Sequence, residues 1–166
     1  MKPVEALQLA TLLMAVVAMV PALAHALELP GKLRLAREAY FTVQPIYYPG
    51  FTFAGFAEPL ALLCTGALLF LTPRGSADFW LAATAFGGLA AMHAVYWVVT
   101  HPVNKYWLRG EELGAAGTGF FSLGSKPETS DWRAMRDRWE YSHVVRAALA
   151  FLSMLALALA LAPASA

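Results

Sequence analysis

Four apolar stretches, residues 6–27, 51–71, 79–100 and 142–162, constrain this chain more than anything else in it. A helix needs about 20 residues to cross a hydrocarbon core of roughly 30 Å, and each run meets that length. No water is available in that core to satisfy backbone N–H and C=O groups, so each run must be helical to bond them internally. Composition agrees: 59% of residues are hydrophobic, 14% are charged, and the mean hydropathy is +0.55. The short connection TPRGSAD between the second and third runs turns the chain straight back on itself. The expected fold is all-α, an integral membrane antiparallel four-helix bundle forming one membrane domain over residues 1–166.

The first run could serve as a cleaved signal peptide, since PALAHA offers small residues at a cleavage site. Its apolar run exceeds the usual 7 to 15 residues and Glu5 weakens the basic N-terminal region, so a retained span with a bend at Pro21 is the expectation. Residues 28–50 carry Pro30, Gly31, Pro45, Pro49 and Gly50 as punctuation around a short helical piece, residues 33–40, at the membrane surface. Tyr40, Tyr47 and Tyr48 suit the aromatic belt there. The third span is expected to end near His101-Pro102, because a residue before proline leaves the helical region. A loop over residues 101–130 follows; its Gly- and Ser-rich part, 108–129, reads equally as a mobile connection or a lid. Ser130 is the expected N-cap of a helix over residues 131–162 that begins before the membrane.

Positive charge orients the bundle. Lys32, Arg34, Arg37, Lys105, Arg109, Lys126, Arg133, Arg136 and Arg138 fall on one side, against Lys2 and Arg74 on the other. Lys and Arg are retained on the cytoplasmic side, so both termini should face away from the cytoplasm, and a bacterial inner membrane is the expected location. A net charge of +1 with no basic stripe excludes a nucleic-acid surface. Cys64 is the single cysteine, which excludes an internal disulfide and a Cys-based metal site. No phosphate-binding loop, nucleophile elbow or CxxC pair is present.

Under that orientation the ionisable residues of the apolar runs converge. His25 lies near the cytoplasmic end of the first span, Glu58 about two turns into the second, and His93 about two turns from the end of the third. His143 and Arg146 open the membrane part of the fourth. A charged group in hydrocarbon costs roughly 2.5 to 3.5 kcal/mol, so such residues normally face the bundle interior. His25, Glu58, His93 and His143 are therefore candidate metal ligands, with His101 a weaker one, for iron, copper or zinc. At 100° per residue, positions 93, 96, 97, 100, 101 and 104 form one stripe. Each residue also has a plain structural reading. His25 and His143 would sit comfortably among headgroups, Glu58 could begin its helix beside Pro59 or pair with Arg146, and Tyr96, Trp97 and Trp107 could simply pack. On the last helix, Arg136, Glu140 and His143 share a face, with Trp139, Ser142 and Arg146 adjoining.

The segment THPVNKYW, followed by a loop and DRWEYSHVVRAALAFLSMLAL, resembles the family of small four-helix membrane proteins that includes the fungal anthrone oxygenases. The family carries an Asn-x-Pro-x-Asn-like element after its third helix and a Trp, Asn/His, Arg pattern opening its fourth. Pro102, Asn104, Trp139, His143 and Arg146 match, while Thr100 stands in place of the first asparagine. The resemblance implies oxidation of a polycyclic phenolic substrate by O2.

Two function classes follow. The first is a membrane oxidoreductase acting on an apolar aromatic or quinone-like small molecule that enters from the lipid bilayer. His93, His143, Arg146 and Glu58 are its candidate catalytic residues, a histidine acting as general base and Arg146 stabilising an oxyanion. Tyr96, Trp97, Asn104 and Trp139 are its candidate substrate contacts. Iron or copper is a candidate cofactor, heme a weaker one, and a cofactor-free site is equally compatible. The second class is a non-catalytic accessory subunit, forming a homo-oligomer or docking on a membrane complex through small-residue stretches such as CTGALL and AFGGLAA. A heme-carrying or proton-relay unit would use the same histidines.

Overall fold

The computed structural model describes residues 3–48, 50–107 and 131–162. Helix α1 spans Pro3–Lys32, and α2, Arg37–Val43, runs into a 3-10 turn at Gln44–Tyr47. Helices α3, Gly50–Gly55, and α4, Ala57–Leu71, together make the second span. The third comprises α5, Ala77–Val95, a π turn at Tyr96–Thr100, and α6, His101–Trp107. The last helix, α7, is Trp132–Leu161. Four helical segments are thus long and apolar enough to cross a membrane, and the chain is an all-α membrane helical bundle.

The helices close a ring. α7 packs along α1 and α5, and α4 lies against α1 and α5 on the other side. Alanines dominate the seam: Ala15, Ala22, Ala61, Ala85 and Ala150 are fully buried, with Leu89 and Met92 filling between them. Small side chains let backbones approach, which matters where lipid tails remove the hydrophobic drive between helices. Interior hydroxyls bond their own helix, Thr11 to the Leu7 carbonyl and Ser153 to that of Leu149, so they leave no unmet polar group. Leu13, Val20, Leu63, Phe70, Val98 and Phe151 point outward, the inside-out pattern of a chain solvated by acyl chains.

Proline chemistry accounts for the main departures from the sequence reading. Pro30 does not end α1, which continues to Lys32, and the short surface helix begins at Arg37 rather than residue 33. Pro59 has no N–H for the carbonyl of Gly55 four residues earlier, and the second span breaks at Phe56. His101-Pro102 does not terminate the third span as expected. The helix widens through a π turn and runs on to Trp107. The Val98 carbonyl, which Pro102 cannot serve, accepts instead from Arg138 Nη2 at 3.0 Å. The expected loop over residues 101–130 therefore starts as helix, and 108–130, with the lid reading and Ser130, lies outside the described residues. α7 is capped by Asp131, whose carboxylate accepts from the Arg133 N–H at 3.0 Å.

Candidate functional site

One end of the ring is hollow. A cavity of about 300 Å³ lies among α1, the 3-10 turn, α3, α4, α5, α6 and α7. His25, Glu58, His93 and His143 all line it, as do Arg146, Tyr96, Trp97, Asn104 and Trp139. His101 and Thr100 do not belong to its wall: the π turn breaks the expected stripe. Thr100 Oγ1 lies 2.8 Å from Ser142 Oγ, and buried His101 has Nδ1 3.4 Å from the Tyr96 hydroxyl.

Glu58 stands in the first turn of α4, where free N–H groups favour a carboxylate. Its Oε2 accepts from Arg146 Nη2 at 2.7 Å and its Oε1 lies 3.0 Å from His93 Nδ1. On the far side of the ring, His93 Nε2 accepts from Trp97 Nε1 at 3.0 Å. An indole nitrogen can only donate, so Nε2 carries the lone pair and Nδ1 the proton. His93 is a neutral imidazole held by a carboxylate, the arrangement that lets Nε2 take a proton and places a negative charge beside the resulting cation. The His93 side chain is 33% exposed, against 5% for Glu58.

The same reasoning fixes His143. Arg146 Nη1 lies 3.3 Å from its Nδ1, and a guanidinium only donates, so the proton of His143 sits on Nε2. That nitrogen is buried with no hydrogen-bond partner among the described residues, and so is Arg146 Nε. The Arg146 guanidinium also lies 4.9 Å from the Tyr96 ring centroid. Donors without partners on a cavity wall are suited to an oxygen that gathers negative charge.

A second polar group meets His25. Lys32 Nζ lies 2.9 Å from His25 Nδ1, 2.8 Å from Glu28 Oε2 and 3.6 Å from Glu140 Oε1. The Tyr47 hydroxyl donates to Glu28 at 2.7 Å and the Tyr40 hydroxyl to Glu140 at 2.9 Å. Burial pushes both tyrosines above their ordinary value of 10.0, and the Glu140 and Glu28 carboxylates push further the same way. The His25 ring packs against Trp139 and His143 at 4.4 and 4.3 Å. Sequence reasoning missed Lys32 and Glu28 as partners of His25, and Tyr47 as part of the cavity wall. Their signal was the 25, 28, 32 spacing of one helix face, hidden by ending the span at Leu27. Glu140, three residues before His143 on α7, is fully buried beside Tyr40 and Lys32.

The proposed metal ligands meet as pairs, Glu58 with His93 and His25 with His143. Among the described residues no three His, Cys, Asp or Glu side chains gather in an arrangement fit to hold a metal ion. Glu58 and the Nδ1 atoms of His93 and His143 contact other side chains of the chain itself.

Fold and cavity together define an integral membrane protein with a largely apolar chamber, dotted with a few polar side chains, between its spans. The chain belongs to the anthrone oxygenase family, whose sequence profile matches residues 49–156. It is thus an oxygenase-like membrane protein. No curated protein and no solved structure matches it.

Proposed function

We propose that this chain is a cofactor-independent membrane oxygenase acting on an apolar aromatic or quinone-like molecule that reaches the cavity from the lipid. The observation that carries the reading is the Glu58–His93 pair facing the same cavity as the partnerless N–H of His143 and the Arg146 guanidinium. His93 Nε2, once the Trp97 indole swings aside, is the base that removes a proton from a ring-activated methylene. Glu58 steadies the imidazolium. Arg146 and the His143 N–H receive the charge that moves onto the substrate oxygen, and Tyr96, Trp97, Asn104 and Trp139 wall the ring system. The carbanion takes O2 as its oxidant: a C–O bond forms, the O–O bond and the second C–H bond break, and the proton held by His93 leaves with hydroxide as water. The balance is one methylene plus O2 giving one carbonyl plus H2O. The steps are assigned to the chain's own side chains, with none routed through a metal or heme.

The accessory-subunit reading has less support. Its small-residue stretches are used within the fold: Gly88 lies against Ser153 and Leu149 of α7, and Gly66 faces the Phe86 ring. Residues 1–166 are proposed to form one membrane domain, with both termini outside the cytoplasm of a bacterial inner membrane.

The test is O2 uptake by the purified protein with a tricyclic aryl ketone that carries an acidic methylene. Wild type should consume one O2 per carbonyl formed. His93→Ala should lose activity by about a hundredfold or more, in the range usual for a general base, while its helical circular dichroism is retained. No turnover by wild type, or full turnover by a folded His93→Ala variant, would overturn the reading.

A further inference from the structure

Two further residues that line the cavity carry donors with nothing to bond among the described residues. Gln44, on the 3-10 turn, and Trp107, the last residue of α6, both line the cavity, and both are almost fully buried. Among the described residues Gln44 Nε2 and Trp107 Nε1 have no hydrogen-bond partner. They belong to one neighbourhood. Gln44 follows Tyr40 by one helical turn and its N–H bonds the Tyr40 carbonyl, while the Tyr40 ring packs edge-on against Trp107 at 5.3 Å.

Native interiors pair more than nine in ten of their buried polar groups, because an orphaned donor costs about 1 to 3 kcal/mol. Two orphans on one cavity wall are difficult to reconcile with packing alone. A phenylalanine at 107 or a methionine at 44 would keep the wall apolar and leave no donor unmet. Both donors are also neutral. They suit an uncharged carbonyl or hydroxyl oxygen, since a buried full charge would need an opposite charge beside it.

We infer that Gln44 and Trp107 form a second polar subsite that receives an uncharged acceptor oxygen of the ligand, separate from the oxygen held by Arg146 and His143. The inference rests on the aromatic-ligand reading above and narrows it: the preferred ligand carries oxygen functions on two separated parts of its ring system. A ring with oxygen on one part only leaves the two N–H groups unmet, and a site built to hydrogen-bond discriminates strongly against a ligand lacking the partner atom. Trp107 and Gln44 are thus specificity determinants that take no part in proton transfer.

The experiment measures equilibrium binding in lipid nanodiscs without O2, so that no turnover is needed. The probes are a naphthol and the naphthalenediol whose second hydroxyl lies at the far end of the ring system. Wild type should bind the diol about tenfold more tightly, the equivalent of 1.4 kcal/mol. Trp107→Phe and Gln44→Met should each remove most of that preference while leaving affinity for the naphthol within about twofold. Arg146→Gln should weaken both probes and preserve their ratio. A wild type that does not distinguish the probes, or a preference that survives in both variants, overturns the subsite: water then meets those donors. Should Trp107→Phe fail to fold, Gln44→Met alone decides between these outcomes. If neither probe binds wild type, the aromatic-ligand reading fails and the subsite falls with it. If both bind but Arg146→Gln changes nothing, the reading of the reacting end fails while the subsite stands or falls on its own variants.

Discussion

At the scale of single residues, the chain spends its scarce polar side chains in mutually satisfying sets. Glu58 would be intolerable in hydrocarbon by itself. Between Arg146 and His93 it is held on both oxygens, and breaking such a buried pair by removing one partner typically costs about 3 to 5 kcal/mol. Tyr40 and Tyr47 show the same economy outside the spans, each donating to a carboxylate that disfavours its own ionisation. Alkaline titration provides a check. The unfolded chain loses these protons near the usual tyrosine value, whereas the folded chain retains them, so stability should fall as pH rises above about 10. Ultraviolet difference absorbance should then show Tyr40 and Tyr47 among those of the six tyrosines that ionise only as the protein unfolds. Tyr40→Phe and Tyr47→Phe should each remove one of the late-ionising groups; ionisation of all six in the folded protein would contradict the assignment. His25, Glu58, His93, His143 and Arg146 were legible as a set, because charge in an apolar run has few places to go. Lys32 was not, because it reads as one of several loop cations, whereas α1 carries it two residues past Pro30 onto His25.

At the scale of elements, small residues and prolines set the geometry. Gly88 is a point of close approach between α5 and α7. A Cβ there would meet Ser153 Oγ and come within 3.1 Å of the Leu149 carbonyl, whereas one at Gly87 meets nothing within 4 Å. Gly88→Ala should therefore destabilise the bundle by about 1 to 3 kcal/mol, the usual cost of overpacking. Gly87→Ala should be neutral or stabilising through helix propensity. Thermal unfolding in a mild detergent distinguishes them, and equal midpoints for the two would refute the close approach. Hydropathy located the spans well because a membrane imposes one length on every crossing. It could not foresee how a helix accommodates Pro102. The answer lies in Arg138, which comes from α7, and no local pattern in the third span contains it.

At the scale of the whole molecule, a ring of alanine-lined helices is tight at one end and hollow at the other, and the hollow end is where the cationic side chains collect. Orientation is argued from that asymmetry. A cysteine placed at residue 2 in a chain whose Cys64 has been replaced by alanine should react with a membrane-impermeant maleimide in intact cells, and one at residue 105 should react only after lysis. The opposite labelling pattern would invert the bundle. The π turn has a further implication for how this chain can tolerate change. One residue more than an α-helix needs is threaded between Tyr96 and Thr100, so everything beyond it is rotated by about 100° relative to α5. Excising a single residue there would leave a longer, more regular rod, yet it would swing Asn104 and Trp107 off the chamber wall together. The irregularity works as a frameshift in three dimensions: sequence drift can alter the helix on either side of it freely, but cannot shorten it without emptying one end of the site.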